Sequence, residues 1–297
     1  MIDFTKVHGN GNDFIVLENR DLRYSSQELA RFARLLCRRK FSVGADGILV
    51  VENPKNTDGE TADFAMRIFN SDGSEGEMCG NGARALARYA FERNLAEASM
   101  SFTTPAGLMR ARVESPYVEL DMGNLDLAGI VFGQSLRCRD VEFPYIFLTA
   151  GVPHCVLFVE DYDAIDAPSK IEIGREISHD FTRFPEGSNV SFAQSISQTE
   201  AKAVTYERGV ENLTESCGTG SVAVAVAFAV AGDAAHEDAM HEDAARTIRV
   251  RNPGGINEVR LSFAPDRRSC HAWLKGRTAL VVEGRIREDA LREEIPS

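Results

Sequence analysis

Ser216-Cys217-Gly218-Thr219-Gly220 opens into the apolar run Ser221-Val222-Ala223-Val224-Ala225-Val226-Ala227-Phe228. A counterpart, Met78-Cys79-Gly80-Asn81-Gly82, opens into Ala83-Arg84-Ala85-Leu86-Ala87-Arg88-Tyr89-Ala90-Phe91, and the two cysteines stand 138 residues apart. Further matches recur in the same order. Asn12-Asp13-Phe14-Ile15-Val16-Leu17-Glu18 matches His154-Cys155-Val156-Leu157-Phe158-Val159-Glu160, 142 residues on. Gly44-Ala45-Asp46 matches Gly187-Ser188-Asn189 at 143, and Thr104-Pro105-Ala106-Gly107 matches Asn252-Pro253-Gly254-Gly255 at 148. Ordered matches at a nearly constant offset mark an internal repeat. They predict an α/β fold of two pseudo-symmetric halves, each a mostly antiparallel or mixed sheet around a central helix, with the active site in the cleft between them. Residues 1–116, joined by a returning strand and tail from about 275 to 297, make the Cys79 half; residues 117–274 make the Cys217 half.

Alternation places strands at Phe64-Met66-Ile68, Val118-Leu120-Met122 and Val204-Tyr206. A hairpin is expected where Thr247–Val250 and Val259–Phe263 flank the turn-forming Pro253-Gly254-Gly255. Ser25 with Glu28 forms a capping box ahead of Leu29, Phe32 and Leu36, and Arg38, Arg39 and Lys40 suit the negative end of that helix. Two more helices are predicted to begin at Ala83 and Ser221. The second is apolar nearly all round, which in a water-soluble chain means burial on every side.

The chain has 297 residues, 43% hydrophobic and 26% charged, with a net charge of -12. This is enough apolar material for a real core. The acidic balance argues against nucleic acid or an anionic membrane, both of which need a basic face. The N-terminus lacks a signal-peptide layout, and the longest apolar run, Val222 to Ala231, is about half a membrane span, so a cytoplasmic location is expected. Six cysteines (37, 79, 138, 155, 217, 270) without a CxxC pair are expected to be free thiols, most of them inert packing residues.

Cys79 and Cys217 are set apart by their context. A Cys-Gly-x-Gly entry to a helix offers unpaired backbone N–H groups, partial positive charge and room for a ligand to approach the main chain. Such an entry holds a carboxylate and favours the thiolate. One such site fits a nucleophile, a redox thiol or an anion pocket. Two related sites, one per half, fit inversion of a stereocentre, which needs a base on one face of a carbon and an acid on the other. A helix terminus contributes about 0.3–2 kcal/mol, whereas enzymes lower barriers by about 8–23 kcal/mol. Placement, worth up to about 7–11 kcal/mol, and exclusion of water must supply the rest.

His8-Gly9-Asn10-Gly11-Asn12-Asp13-Phe14, Phe69-Asn70-Ser71-Asp72-Gly73-Ser74, Met78–Arg84, Glu207-Arg208-Gly209 and Ser216–Gly220 resemble the diaminopimelate epimerase family, from Val7 to about Gly284. The resemblance implies a homodimer without a cofactor or metal that converts LL-diaminopimelate to the meso isomer, toward lysine and peptidoglycan precursors. By position, Cys79 and Cys217 would be the acid/base pair. Gly80-Asn81 and Gly218-Thr219 would bind the reacting carboxylate, and Asn12, Asn70, Asn189, Glu207 and Arg208 would hold the substrate, with His154 assisting. Val152-Pro153-His154 departs from the family's usual Asn-Pro-His.

Two other functions compete. One keeps the chemistry and changes the amino acid, to histidine for example, motivated by Val152. The other is a thiol-redox protein whose paired cysteines form a reversible disulfide. Gly80-x-Gly82-x-x-Ala85 fits a loose dinucleotide pattern but lacks a βαβ unit with a ribose-binding acid. His236-Glu237-Asp238-Ala239-Met240-His241 spaces its histidines five apart, off one helix face, and reads as an acidic solvated loop rather than a metal site.

Overall fold

The computed structural model describes residues 1–54, 61–235 and 245–291; the His236–His241 segment lies outside them. The chain divides into two compact units, Met1–Asp121 with Gly276 onward, and Met122–Lys275.

The first unit opens with β1 (Ile2–Gly9) and β2 (Asn12–Glu18), an antiparallel hairpin closing at Gly9 opposite Asn12. Helix α1 (Ser26–Leu36) then leads to β3 (Gly47–Glu52), parallel to β2. Next come β4 (Phe64–Asn70), antiparallel to β3, the short β5 (Glu75–Gly76) and helix α2 (Gly80–Glu92). Strand β6 (Ser99–Thr104) runs parallel to β4, and β7 (Gly107–Glu114) and β8 (Tyr117–Asp126) follow antiparallel.

The second unit repeats the pattern. After β9 (Val131–Cys138), β10 (Val141–Ala150) and β11 (Val152–Phe158) form the antiparallel pair, α3 (Ala167–Ser178) crosses over, and β12 (Asn189–Ser197) lies parallel to β11. Strands β13 (Glu200–Glu207) and β14 (Asn212–Thr214) precede α4 (Gly218–Ala235), after which β15 (Arg246–Asn252) runs parallel to β13 and pairs with β16 (Gly255–Phe263). The turn of that last hairpin is Pro253-Gly254, between the paired Asn252 and Gly255. Strand β17 (Ser269–Ile286) ends antiparallel to β1, from Thr278 opposite Gly9 to Ile286 opposite Ile2.

Local chemistry explains the helices. Ser25 and Glu28 form the reciprocal capping box at α1, which buries Leu29, Phe32 and Leu36. Helices α2 and α4 begin at Gly80 and Gly218, three residues before the predicted starts at Ala83 and Ser221. The glycines are already helical, so each cysteine sits immediately before the first turn rather than in a preceding loop. Val222 to Ala227 are no more than 1% exposed, because α4 packs against β10, β11, β12, β13, β15 and β16. An apolar helix without a polar stripe is stable in water only when covered this way. Among the described residues, no helix is long and apolar enough to cross a membrane.

Helix α3 was not anticipated from the sequence. Asp166 caps it by accepting from Ser169 N at 2.8 Å, Pro168 sits in its first turn, and Ile173 and Ile177 enter the core with Phe184, Phe192 and Tyr206. It occupies the crossover that α1 fills in the first unit.

Candidate active site

In the first unit, Cys79 is the N-cap residue of α2, extended at φ −140° and ψ 119°, and its side chain does not cap the helix. The thiol is partly accessible. Its Sγ lies 3.6 Å from Asn12 Oδ1. Asn12 in turn donates from Nδ2 to Asp46 Oδ2 at 2.6 Å. Behind it stands an ion-pair cluster: Asp46 to Arg39 at 2.9 Å, Asp13 to Arg39 at 2.7 Å and Asp13 to Lys6 at 2.6 Å. Burial works to raise the Asp13 carboxyl, but Arg39 and Lys6 outweigh it and hold the group below the usual carboxylate range.

The interior side of α2 carries Arg84, a fully buried guanidinium. Burial pushes it down to about 10, opposed by the nearby Cys79 sulfur, which favours its charge. Its Nη2 donates to Asn81 Oδ1 at 2.5 Å. The Asn81 side chain is thereby turned inward. What the Gly80-Asn81 turn presents to a ligand is its main chain, consistent with a helix-entry carboxylate site. Strand β1 crosses this turn so closely that a Cβ on Gly9 would stand 2.7 Å from the Asn81 carbonyl oxygen. Only glycine fits there. Asn70, at the end of β4, is exposed and bonds Ser74 Oγ at 3.0 Å across the 71–73 turn.

In the second unit, Cys217 is buried at the entry of α4. Gly220 N donates to its Sγ at 3.3 Å, and the Thr219 hydroxyl stands 3.5 Å away. A Cβ on Gly220 would lie 2.6 Å from Thr205 Oγ1 and 3.1 Å from Cys217 Sγ, so this glycine is what lets the sulfur sit over the helix end. Glu207, at the end of β13, touches the same thiol and accepts from Thr214 Oγ1 at 2.6 Å. Burial first, then the Glu207 charge, pushes the Cys217 thiol well above its ordinary range, while Thr219 and the Gly220 N–H pull the other way. Glu207 is itself raised by burial, against its bonds to Thr214 and Cys217. By the family resemblance Glu207 would hold the substrate; its observed partners are Thr214 and the second cysteine.

Beside this, Asn189 Oδ1 accepts from Arg208 N at 2.9 Å, and Arg208 Nη1 donates to the Glu186 carbonyl. Arg208 is exposed, and among the described residues no carboxylate forms an ion pair with it. His154, register partner of Asn189, is fully buried with neither ring nitrogen bonded, and burial, aided by the Arg208 charge, lowers it to about 3. It is a neutral imidazole, unsuited to carry a proton at neutral pH. Val152 stands 36% exposed at the start of β11. Cys37, Cys138, Cys155 and Cys270 are buried and their thiols raised by burial, as inert packing residues are. Among the described residues, no group of three His, Cys, Asp or Glu is placed to hold a metal ion.

The two thiols therefore differ. One is partly accessible, with an amide oxygen and a buried guanidinium near it; the other is buried, and burial first, then the Glu207 carboxylate, favours its protonated form.

The family model for diaminopimelate epimerase matches residues 4–127 and 146–265. A diaminopimelate epimerase of Methanocella arvoryzae is 36% identical over 97% of this chain and 98% of its own length. One of Aquifex aeolicus is 33% identical over 98% and 99%. Among solved structures, a phenazine biosynthesis protein of the PhzF family from Bacillus anthracis shares the fold at TM-score 0.67 and 16% identity, covering 96% of this chain and 98% of that one. A hydroxyproline epimerase from Agrobacterium vitis does so at TM-score 0.64 and 15% identity, covering 96% and 90%.

Proposed function

The chain belongs to the diaminopimelate epimerase family, and on that footing we propose that it interconverts LL- and meso-diaminopimelate by proton transfer between Cys79 and Cys217. The observation that carries the proposal is the pair of unlike cysteines at matching helix entries: Cys217 poised as a thiol by burial and Glu207, Cys79 partly accessible at the entry of α2. Inversion at one α-carbon demands such a pair, one sulfur taking the α-proton as a thiolate while the other gives its proton to the opposite face. In the reverse direction the roles exchange.

The main-chain N–H groups of Gly80-Asn81 and Gly218-Thr219 are assigned to the reacting carboxylate, whose carbon gains negative charge as the proton leaves. Arg208, exposed and with one guanidinium nitrogen already bound to the Glu186 carbonyl, suits the distal carboxylate, and Asn12, Asn70 and Asn189 supply amides for the ammonium groups. The proposed working form is a cytoplasmic homodimer.

Replacing Cys79 and Cys217 singly by alanine is expected to abolish turnover of LL-diaminopimelate under full reduction while leaving the fold intact. Turnover surviving either replacement would refute the assignment. Parallel assays with L-histidine test the other amino-acid reading raised by Val152.

A further inference from the structure

We propose that Asp46 is a positioning residue for Cys79: it locks the Asn12 side-chain amide with its oxygen, rather than its nitrogen, toward the sulfur. The inference rests on Cys79 being one of the proton-transfer thiols. A carboxylate only accepts hydrogen bonds, so the Asn12 atom 2.6 Å from Asp46 Oδ2 must be the nitrogen. The oxygen is then left facing Cys79 Sγ at 3.6 Å. An amide oxygen accepts from a thiol S–H and repels a thiolate. This orientation therefore steadies the protonated form of Cys79, the form that must deliver a proton in one direction of the reaction. It also turns an acceptor toward any ammonium bound beside the sulfur.

Asp46 is itself held. Its Oδ2 also accepts the Asp13 N–H at 3.1 Å, its Oδ1 accepts from Arg39 Nη2 at 2.9 Å, and its own N–H is donated to the Asp13 carbonyl at 2.9 Å. The carboxylate is thus fixed on the main chain of β2, one residue from the amide it orients. The internal repeat supports the assignment independently. Asn12 and Asp46 are the counterparts of His154 and Asn189, which stand side by side in the β11–β12 register. Both halves place a polar pair at this position, and Asp46 alone of the four carries a charge.

The elements around Cys79 carry, among other charged and titratable groups, Lys6 and His8 on β1, Asp13 on β2, Arg39 and Asp46 ahead of β3, and Arg84 on α2. A test must therefore separate orientation from charge. The rate of Cys79 alkylation by iodoacetamide, followed against pH by peptide mass spectrometry on the full-length protein, reads the thiol directly. Asp46→Asn frees the Asn12 amide to turn its N–H toward the sulfur, and the alkylation midpoint is expected to fall by about one pH unit. In an Asn12→Ala background the same substitution should leave the midpoint where Asn12→Ala alone puts it. Arg39→Gln, which breaks the ion pair but spares the Asn12 bond, should leave it unmoved.

An equal fall with and without Asn12, or a rise with Arg39→Gln matching the fall with Asp46→Asn, would show charge alone at work and overturn the proposal; so would no fall at all. Asp46→Ala serves if Asp46→Asn does not fold, with the same expectations. Turnover retained by Cys79→Ala would instead remove the catalytic assignment while leaving the alkylation result standing.

Discussion

Gly220→Ala puts a methyl group into the tightest point of the second cysteine site. The added Cβ would lie 2.6 Å from Thr205 Oγ1 and 3.1 Å from both Cβ and Sγ of Cys217. Ordinary contacts to carbon sit near 3.5 Å, so either the hydroxyl or the helix entry must move by nearly an ångström. The hydroxyl is not free to swing, because it shares a 2.9 Å hydrogen bond with Ser191 Oγ, and both residues are buried. Breaking that bond leaves a buried polar group unsatisfied, at about 1–3 kcal/mol. Forcing the methyl into a packed site adds about 1–3 kcal/mol. Their sum, about 2–6 kcal/mol, lowers the melting temperature of a unit this size by about 4–24 °C. The displaced sulfur matters more for function, since a misplacement of about 1 Å is worth on the order of a hundredfold in rate. Thermal unfolding by circular dichroism and steady-state kinetics read the two effects. An unchanged melting temperature together with unchanged kcat/KM would refute the reasoning.

Other perturbations test other parts of the account. His154 is neutral in the folded protein, with its proton affinity lowered from 6.5 to about 3. The unfolded chain therefore binds the extra proton first, and stability should fall by about 1.4 kcal/mol per pH unit as pH drops from about 6.5 toward 3. Urea titrations of His154→Gln should show a flatter acid limb; an identical limb would contradict this. Arg84→Ala leaves a cavity and strips Asn81 Oδ1 of its guanidinium partner, so a loss of about 3–5 kcal/mol is expected in the same titration. Ser25→Ala, which dissolves the capping box of α1, should cost about 1 kcal/mol without altering kcat.

How far these features were legible in the sequence depended on whether their signal was local. The capping box at Ser25, the Pro253-Gly254 turn and the buried-all-round character of α4 are written in neighbouring residues, and each appears in the structure. The exact starts of α2 and α4 were misplaced because glycine reads as a helix breaker, while here it is a helix entry whose missing Cβ makes room for sulfur. Helix α3 was missed because its buried Ile173 and Ile177 are diluted by charged neighbours. The Asp166-Ala167-Pro168-Ser169 start signal and the repeat of α1 would both have found it.

The partners of the cysteines were less accessible. Glu207 lies near Cys217 because the tight β13–β14 hairpin, which pairs Glu207 with Asn212, folds the chain back on itself, a turn not anticipated from the sequence. Asp46 had been aligned with Asn189 by the repeat, yet its bond to Asn12 depends on β2 and β3 lying parallel. The inward turn of Asn81 depends on a buried arginine three residues on, which the sequence pattern alone would place on a solvated face.

The central claim is that two different thiols serve opposite faces of one carbon, and its most direct test is the fate of hydrogen in deuterium oxide. LL-diaminopimelate is incubated with the enzyme, and both isomers are analysed early by mass spectrometry. The account predicts meso product carrying one deuterium at the inverted carbon, delivered by the second thiol, while the remaining LL substrate is still fully protonated. Deuterium appearing in recovered substrate as fast as in product, or product that keeps its original hydrogen, would show a single base at work and contradict it.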